Sequence, residues 1–344
     1  MIQSKKLLAT GLAAVLVLAA CGGDDDDSGD GGTRVGLAFD TGGRGDGTFN
    51  DAAGRGADNA EAELGVTVVE LEAATADDRK PNLETLTDDG VNPIVANGFA
   101  FGGALEEVAN DNPDTLYAIT DGFIADAPAN VAMLGFAEHE GSFLVGAAAA
   151  LACGCDDIGF IGGQEIDLIK KFEAGYTAGA EYINPDISVR VQYLGAAGDN
   201  AAWGSPDKAK EIANSWYADG AQVIYTAAGG SGAGTREAAA ESDAWAIGVD
   251  SDEYLIAPED QQPHILTSML KRVDTAVFDV YSQFEAGTLA ESIESSGGFF
   301  TYDLASDGVG YSTSGGHIDD YTDQLDEIKD MIIAGDIVVP DKVG

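Results

Sequence analysis

From residue 33 onward, short apolar runs alternate with longer amphipathic stretches. Segments 34–39, 66–71, 93–96, 115–119 and 131–136 are almost continuously apolar and of strand length, and a second series follows at 158–161, 188–194, 221–226 and 244–249. Strands this uniformly apolar are buried on both faces, which is the mark of a parallel sheet with helices on either side. Helical spacing of apolar positions fills the gaps, at 168–182, 207–218 and 234–242 in the second series. Repeated β-α alternation in two series predicts an α/β protein of two Rossmann-like lobes, each a doubly wound parallel sheet, with a ligand cleft between them. A further strand at 264–269, a helix at 273–286 and a last helix at 321–333 imply that the chain crosses between lobes. The expected division is 33–140 plus about 265–298 in lobe 1, and 141–264 plus about 299–344 in lobe 2.

Ligands in such sheets bind beyond the carboxyl ends of the strands, so the residues that follow each strand are the candidates. Asp40 opens the run DTGGRGDGTFND, in which glycines allow close backbone approach, Phe49 presents a flat apolar face and Asn50 both donates and accepts. Residues 97–101 follow the third strand and Asp121 the fourth. In the second series Tyr225 precedes the glycines 229 and 230, whose amides can point at a ligand; Asp250 follows the next strand and Lys271 the one after. Trp203, in a loop, is a competing ring ranked below Tyr225. Carboxylates that only accept, one well-placed cation and two rings suit a neutral, hydroxyl-rich solute, a nucleoside or a sugar.

Charge narrows the choice of partner. Lys and Arg number 17 against 60 Asp and Glu, for a formal net charge of -43 over 344 residues, so a nucleic-acid partner is excluded for want of anything to neutralise a phosphate backbone. The acids are spread along the whole chain, a pattern expected to stabilise the fold as salt rises to molar levels and screens self-repulsion.

Residues 1–20 read as a secretory signal, with Lys5 and Lys6 before an apolar run that is too short to span a bilayer. The run ends Leu18-Ala19-Ala20-Cys21, which resembles a bacterial lipobox and marks Cys21 for lipidation; residues 21–32 then form the lipidated Cys and a flexible acidic tether. Cys153 and Cys155 could be a disulfide or two thiols. Three His residues without ligand spacing argue against a metal, and no cofactor is expected.

Together the lipobox, DTGGRGDGTFND, ITDG at 119–122, IGFIGG at 158–163, VIYTAAGGSGAGT at 223–235, AIGVDSDEY at 246–254 and TSMLKRVDTAV at 267–277 resemble the basic-membrane-protein family, in the family's order and over nearly the whole mature chain. These are substrate-binding lipoproteins of ABC importers, similar to the bacterial purine nucleoside receptor. The resemblance implies a periplasmic-binding-protein fold of type I. By the same resemblance, the ligand is a nucleoside, a purine nucleoside preferred, sandwiched between Phe49 and Tyr225. Asp40, Asn50 and Asp121 would meet base edges, and Asp250, Lys271 and the Gly230 backbone the ribose. It also implies a monomer, lipid-anchored on the extracytoplasmic face of the cell membrane, that delivers to a membrane permease. Two departures stand out: Tyr225 where Phe is usual, and Glu253 where Gln is commoner.

Enzyme signatures fail on their own chemistry. Asp40-Thr41-Gly42 matches an aspartic-protease triplet but has no second triplet to share the proton, and Ser268-x-x-Lys271 lacks the downstream motif of a penicillin-binding enzyme. The glycine loop at 229–234 has the wrong spacing for a dinucleotide. A nucleoside-processing enzyme and a sensory receptor without transport stand as the alternatives.

Overall fold

The computed structural model describes residues 32–344; the signal, Cys21 and the tether to residue 31 lie outside them. Lobe 1 begins with β1 (Arg34–Phe39), α1 (Phe49–Leu64), β2 (Thr67–Glu72), α2 (Arg79–Asp88), β3 (Ile94–Asn97), α3 (Gly102–Asp111), β4 (Tyr117–Thr120) and β5 (Val131–Phe136). The chain then crosses into lobe 2, through α4 (Glu138–Cys153), β6 (Asp157–Gln164), α5 (Asp167–Ile183), β7 (Ser188–Gly195), α6 (Pro206–Ala218), β8 (Val223–Ala227), α7 (Gly232–Ser242), β9 (Trp245–Asp250) and β10 (Ile265–Lys271). It returns to lobe 1 for α8 (Val273–Glu285), α9 (Leu289–Ser296) and β11 (Phe299–Tyr302), and crosses a third time to β12 (Val309–Tyr311) and α10 (Thr322–Ile333).

The two sheets have matching orders, β11-β5-β4-β3-β1-β2 and β12-β10-β9-β8-β6-β7. Each reverses direction of winding at one place, between β1 and β3 in the first and between β6 and β8 in the second. These switch points leave a crevice at the strand carboxyl ends, where two crossover helices diverge to opposite faces. The inner strands are buried almost throughout, as the apolar runs require, and β8 has no residue above a few per cent exposure, whereas the edge strands β2 and β7 are half exposed.

Two segments sit in the lobe opposite to the expected one. β10 pairs in parallel with β9, Ser268 beside Gly248, and so belongs to the second sheet; β11 pairs in parallel with β5, Phe299 beside Met133, and belongs to the first. The connection 251–264 carries only short 3-10 turns, yet it leads to the neighbouring parallel position, and α4 covers the new strand. β10 therefore completes lobe 2 as β5 does lobe 1, and the helix that follows it, α8, is the one that crosses back to pack on α1.

Helix α4 crosses α5 at unusually short range. A methyl group on Gly175 would lie 2.0 Å from the His139 carbonyl oxygen, and one on Gly179 1.9 Å from that of Phe143. Only glycine permits that approach. The seam fixes α4, whose first residue, Glu138, is buried near Lys271. At its other end Cys153, its last residue, forms a disulfide with Cys155 around the left-handed Gly154, which resolves the choice the sequence left open.

Candidate ligand-binding site

Both lobes line one cavity of about 970 Å3, counting the part open to solvent at its mouth. Seven of the eight residues picked from the sequence lie on its wall: Asp40, Phe49, Asn50 and Asp121 from lobe 1, and Gly230, Asp250 and Lys271 from lobe 2. Tyr225 does not.

At the deep end a lysine bridges the lobes. Lys271, the last residue of β10 and 3% exposed, places Nζ 2.6 Å from Asp121 Oδ2 and 3.8 Å from Asp250 Oδ1. Burial acts to lower the lysine, and Asp121, Asp250 and Glu138 together outweigh it, so the amine is held charged with its affinity for the proton raised. Burial pushes Asp250 the other way, up to about 7, against the pull of Lys271. Burial likewise raises Glu138, against Lys271 and then Lys171, which contacts Glu138 Oε2 at 3.0 Å. One oxygen of each carboxylate, Asp121 Oδ1, Asp250 Oδ1 and Glu138 Oε1, is buried without a hydrogen-bond donor. Nζ also lies 4.9 Å from the centre of the Phe49 ring and 5.6 Å from that of Phe172, so aromatic faces complete its surroundings.

The lobe 1 wall is a hydrogen-bonding edge. Asp40, directly after β1, accepts on Oδ1 from Arg79 Nε at 2.8 Å and from its neighbour Thr41 N at 2.7 Å, with Arg79 Nη2 also 2.7 Å away. Arg79 is buried at the start of α2. Asn97 at the end of β3 donates from Nδ2 to Asn50 Oδ1 at 3.0 Å. Asp46, which also lines the cavity, ties down the start of α1: its carboxylate accepts from the backbone N–H of Thr48, Asn50 and Asp51 at 2.9 to 3.1 Å. Burial raises Asp46 and these three amides counter the shift. Cap geometry thus sets the position of Phe49 and Asn50.

The rings are arranged differently from the expectation. Tyr225 is fully buried within lobe 2, its ring 5.6 Å from Phe160 and 5.2 Å from Tyr176, and its hydroxyl meets Ser142 at 3.4 Å. It sits mid-strand in β8, covered on both faces, so it cannot reach past the carboxyl end into the cleft. Trp203 lines the cavity instead, with Phe172 beside it on the lobe 2 side and Phe99 facing it from lobe 1 at 6.3 Å, edge to face. Phe99 belongs to the segment 97–101 singled out after the third strand. Phe172, in the first half of α5, carried no such signal and neither did Arg79, while Asn97 opens the 97–101 segment, although nothing in the linear pattern pairs it with Asn50.

Glu253, the other departure from the family pattern, is buried away from the cavity wall. It pairs with Arg236 and accepts from Val249 N at 3.0 Å, so it braces the end of β9. Beside the cavity a second interlobe link runs from Arg55 Nη2 to Ser251 Oγ, 3.0 Å, and from Ser251 Oγ to the Thr48 carbonyl, 3.0 Å.

A family model described as ABC transporter substrate-binding protein, PnrA-like, matches residues 33–343. The chain belongs to this family. Among curated relatives, the binding protein is 35% identical to a CD4+ T-cell-stimulating antigen of Listeria innocua over 96% of both chains. It is 33% identical to the ABC transporter nucleoside-binding protein BmpA of Lactococcus lactis subsp. cremoris over 97% of both. Among solved structures, a solute-binding protein of an ABC transporter system from Aeropyrum pernix K1 superposes with a TM-score of 0.76 at 28% identity, covering 90% of this chain and 94% of that one. These matches bear out the fold class and the substrate-binding role. Binding proteins of ABC transporters act on the extracytoplasmic side, and no helix among the described residues is long and apolar enough to cross a membrane.

Proposed function

We propose that this protein captures a nucleoside, with a purine nucleoside preferred, in the interlobe cavity and hands it to an ABC permease in the membrane. The observation that carries the reading is the pairing of flat and polar surfaces in one cavity: Phe49 from lobe 1 and Trp203 from lobe 2 offer faces for a base, beside Asp40 and Asn50 for its edge. Asp121, Asp250 and Lys271 at the deep end suit the hydroxyls of a ribose, because carboxylates accept from O–H groups while the amine donates to them. Four carboxylates on the wall against one lysine disfavour a phosphorylated ligand. The name of the Lactococcus lactis relative points the same way. In this reading Trp203 takes the stacking role first given to Tyr225, the Gly230 amide faces the ligand, and Cys21 carries the lipid that keeps a monomer at the membrane. Ligand binds both lobes at once, so it favours the closed arrangement that a permease recognises.

Thermal unfolding of the chain from residue 32, with nucleosides, free bases, ribose and nucleoside monophosphates, tests this. A ligand at 100 times its dissociation constant adds about 2.7 kcal/mol. Stabilisation by inosine, guanosine or adenosine, without product after prolonged incubation, supports the proposal. Stabilisation by a monophosphate but not its nucleoside would overturn the electrostatic argument, and product formation would restore the enzyme reading. Uptake that persists after deletion of the gene would favour a sensory receptor.

A further inference from the structure

Asn97 and Asn50 are joined amide to amide at the foot of the cavity, 0% and 4% exposed. Asn97 Nδ2 donates to Asn50 Oδ1, and Asn97 Oδ1 is buried without a partner. Turning both amides round would let Asn50 donate and would strand the Asn97 NH2 group instead. That arrangement buries two unsatisfied hydrogens in place of one under-used oxygen, and orphaned N–H groups are the rarer and costlier defect. With its oxygen committed, Asn50 presents Nδ2 to the cavity, 3.4 Å from the place a Cβ on the cavity-lining Gly42 would occupy.

We propose that Asn97 is a positioning residue that fixes Asn50 as a hydrogen-bond donor toward the ligand. Asp40, on the same wall, can only accept, and its Oδ1 is already engaged by Arg79 and Thr41, which leaves Oδ2 near Gly98 for the solute. The lobe 1 wall therefore reads donor and acceptor in a fixed arrangement. It selects a ring edge that carries an acceptor beside an N–H, as the lactam edge of a 6-oxopurine does. The ligand class rests on the nucleoside reading; the polarity of the two amides does not.

Exchange of the side-chain amide hydrogens with water, followed by 15N NMR on ligand-free protein, tests the polarity directly. The Asn97 NH2 is expected to exchange about tenfold or more slowly than that of Asn50, whose hydrogens face the cavity. Inosine should then slow Asn50. In Asn97→Asp the new carboxylate only accepts, so Asn50 must turn to donate to it: its hydrogens become protected without ligand, and inosine binds about tenfold or more weakly. A merely structural role for Asn97 would not protect Asn50 in the variant. Slow exchange at Asn50 and fast exchange at Asn97 in the ligand-free wild type overturns the proposal whether or not the variant folds. If the wild-type pattern is as expected but no nucleoside slows Asn50, the polarity stands and the nucleoside reading falls.

Discussion

At the end of β4 lobe 1 turns through Asp121 with φ 61°, and at the matching end of β9 lobe 2 turns through Asp250 with φ 64°. Neither is glycine, and a left-handed turn at a non-glycine residue stores strain that surrounding structure must hold. Both lobes hold the same strained carboxylate at the same strand end, and both aim it at Lys271. Beyond that the halves diverge. After β3 lobe 1 places Phe99, while after β8 lobe 2 places Gly229 and Gly230; one strand in from the edge, lobe 2 ends β10 with a lysine, where lobe 1 ends β5 with Phe136. The cation is supplied by one lobe and its nearest partner, Asp121, by the other. Repetition of a fold thus gives two similar frames, and the site arises from where the repetition breaks, because the lysine of one half meets its nearest carboxylate only when the other half is in place.

The largest expected effect comes from removing the element the lobes do not share. Lys271→Met leaves Asp121 and Asp250 buried and facing each other, which should cost about 3 to 5 kcal/mol of stability and abolish measurable binding. Chemical denaturation and calorimetric titration read both; a stable variant with unchanged affinity would make the ion cluster ornamental. Next, Trp203→Ala should weaken binding by about 1 to 3 kcal/mol while ligand-free stability changes little, since base stacking has that magnitude. Tyr225→Leu, by contrast, should cost core stability and leave the affinity of the folded protein unchanged. Equal losses from both would put the two rings back on one footing.

Asp250 distinguishes the lobes by pH. Its folded value near 7 lies above the ordinary carboxylate value of 3.8, so its contribution to stability is fully present below that lower value and is lost as pH rises toward and through 7. Asp250→Asn should therefore gain on the wild type between pH 4 and pH 8, by up to about 4 kcal/mol at the upper end, while Asp121→Asn should show no such gain because it removes the lysine's closest partner. Melting both variants across that range checks the sign. The smallest effect is expected at the second link: Arg55→Met should reduce affinity by about 0.5 to 1.5 kcal/mol through loss of one interlobe hydrogen bond, with the larger share in faster release. Stopped-flow dissociation would show whether release or capture changes.

The frame was legible because it depends on local pattern. Nearly every apolar run became a strand within a residue or two, since central parallel strands must be apolar on both faces. Strand ends were legible for the same reason, and Asp40, Asp121, Asp250 and Lys271 all follow or end such runs, while Asn50 lies at the start of the helix after the first. What the pattern does not carry is which sheet a strand joins: 265–271 and 299–302 have ordinary strand composition, and their lobes are decided by crossovers that leave no local trace. Tyr225 failed on a matter of two residues. At mid-strand its side chain is walled in by Phe160 and Tyr176, and only from Ala227 onward does β8 emerge into the cavity. Trp203, by contrast, owes its place to the loop preceding α6, whose path depends on Gln164 and Ser231 hydrogen-bonding to it at 2.7 to 3.3 Å.

The three crossings between lobes bear on how the chain can be made. β5 waits for β11 and β10 waits for β12, so a growing chain that has reached residue 271 has every inner strand of both sheets and a bare flank on each. Lobe 1 also lacks α8 until residue 285 has been synthesised. Neither lobe can finish as a private unit while the other is under construction, and the last seventy or so residues act as a common closing stitch. A ribosome that stops short of that stitch releases not one sound domain and one broken one, but two unfinished sheets, each with an unpaired edge open to association.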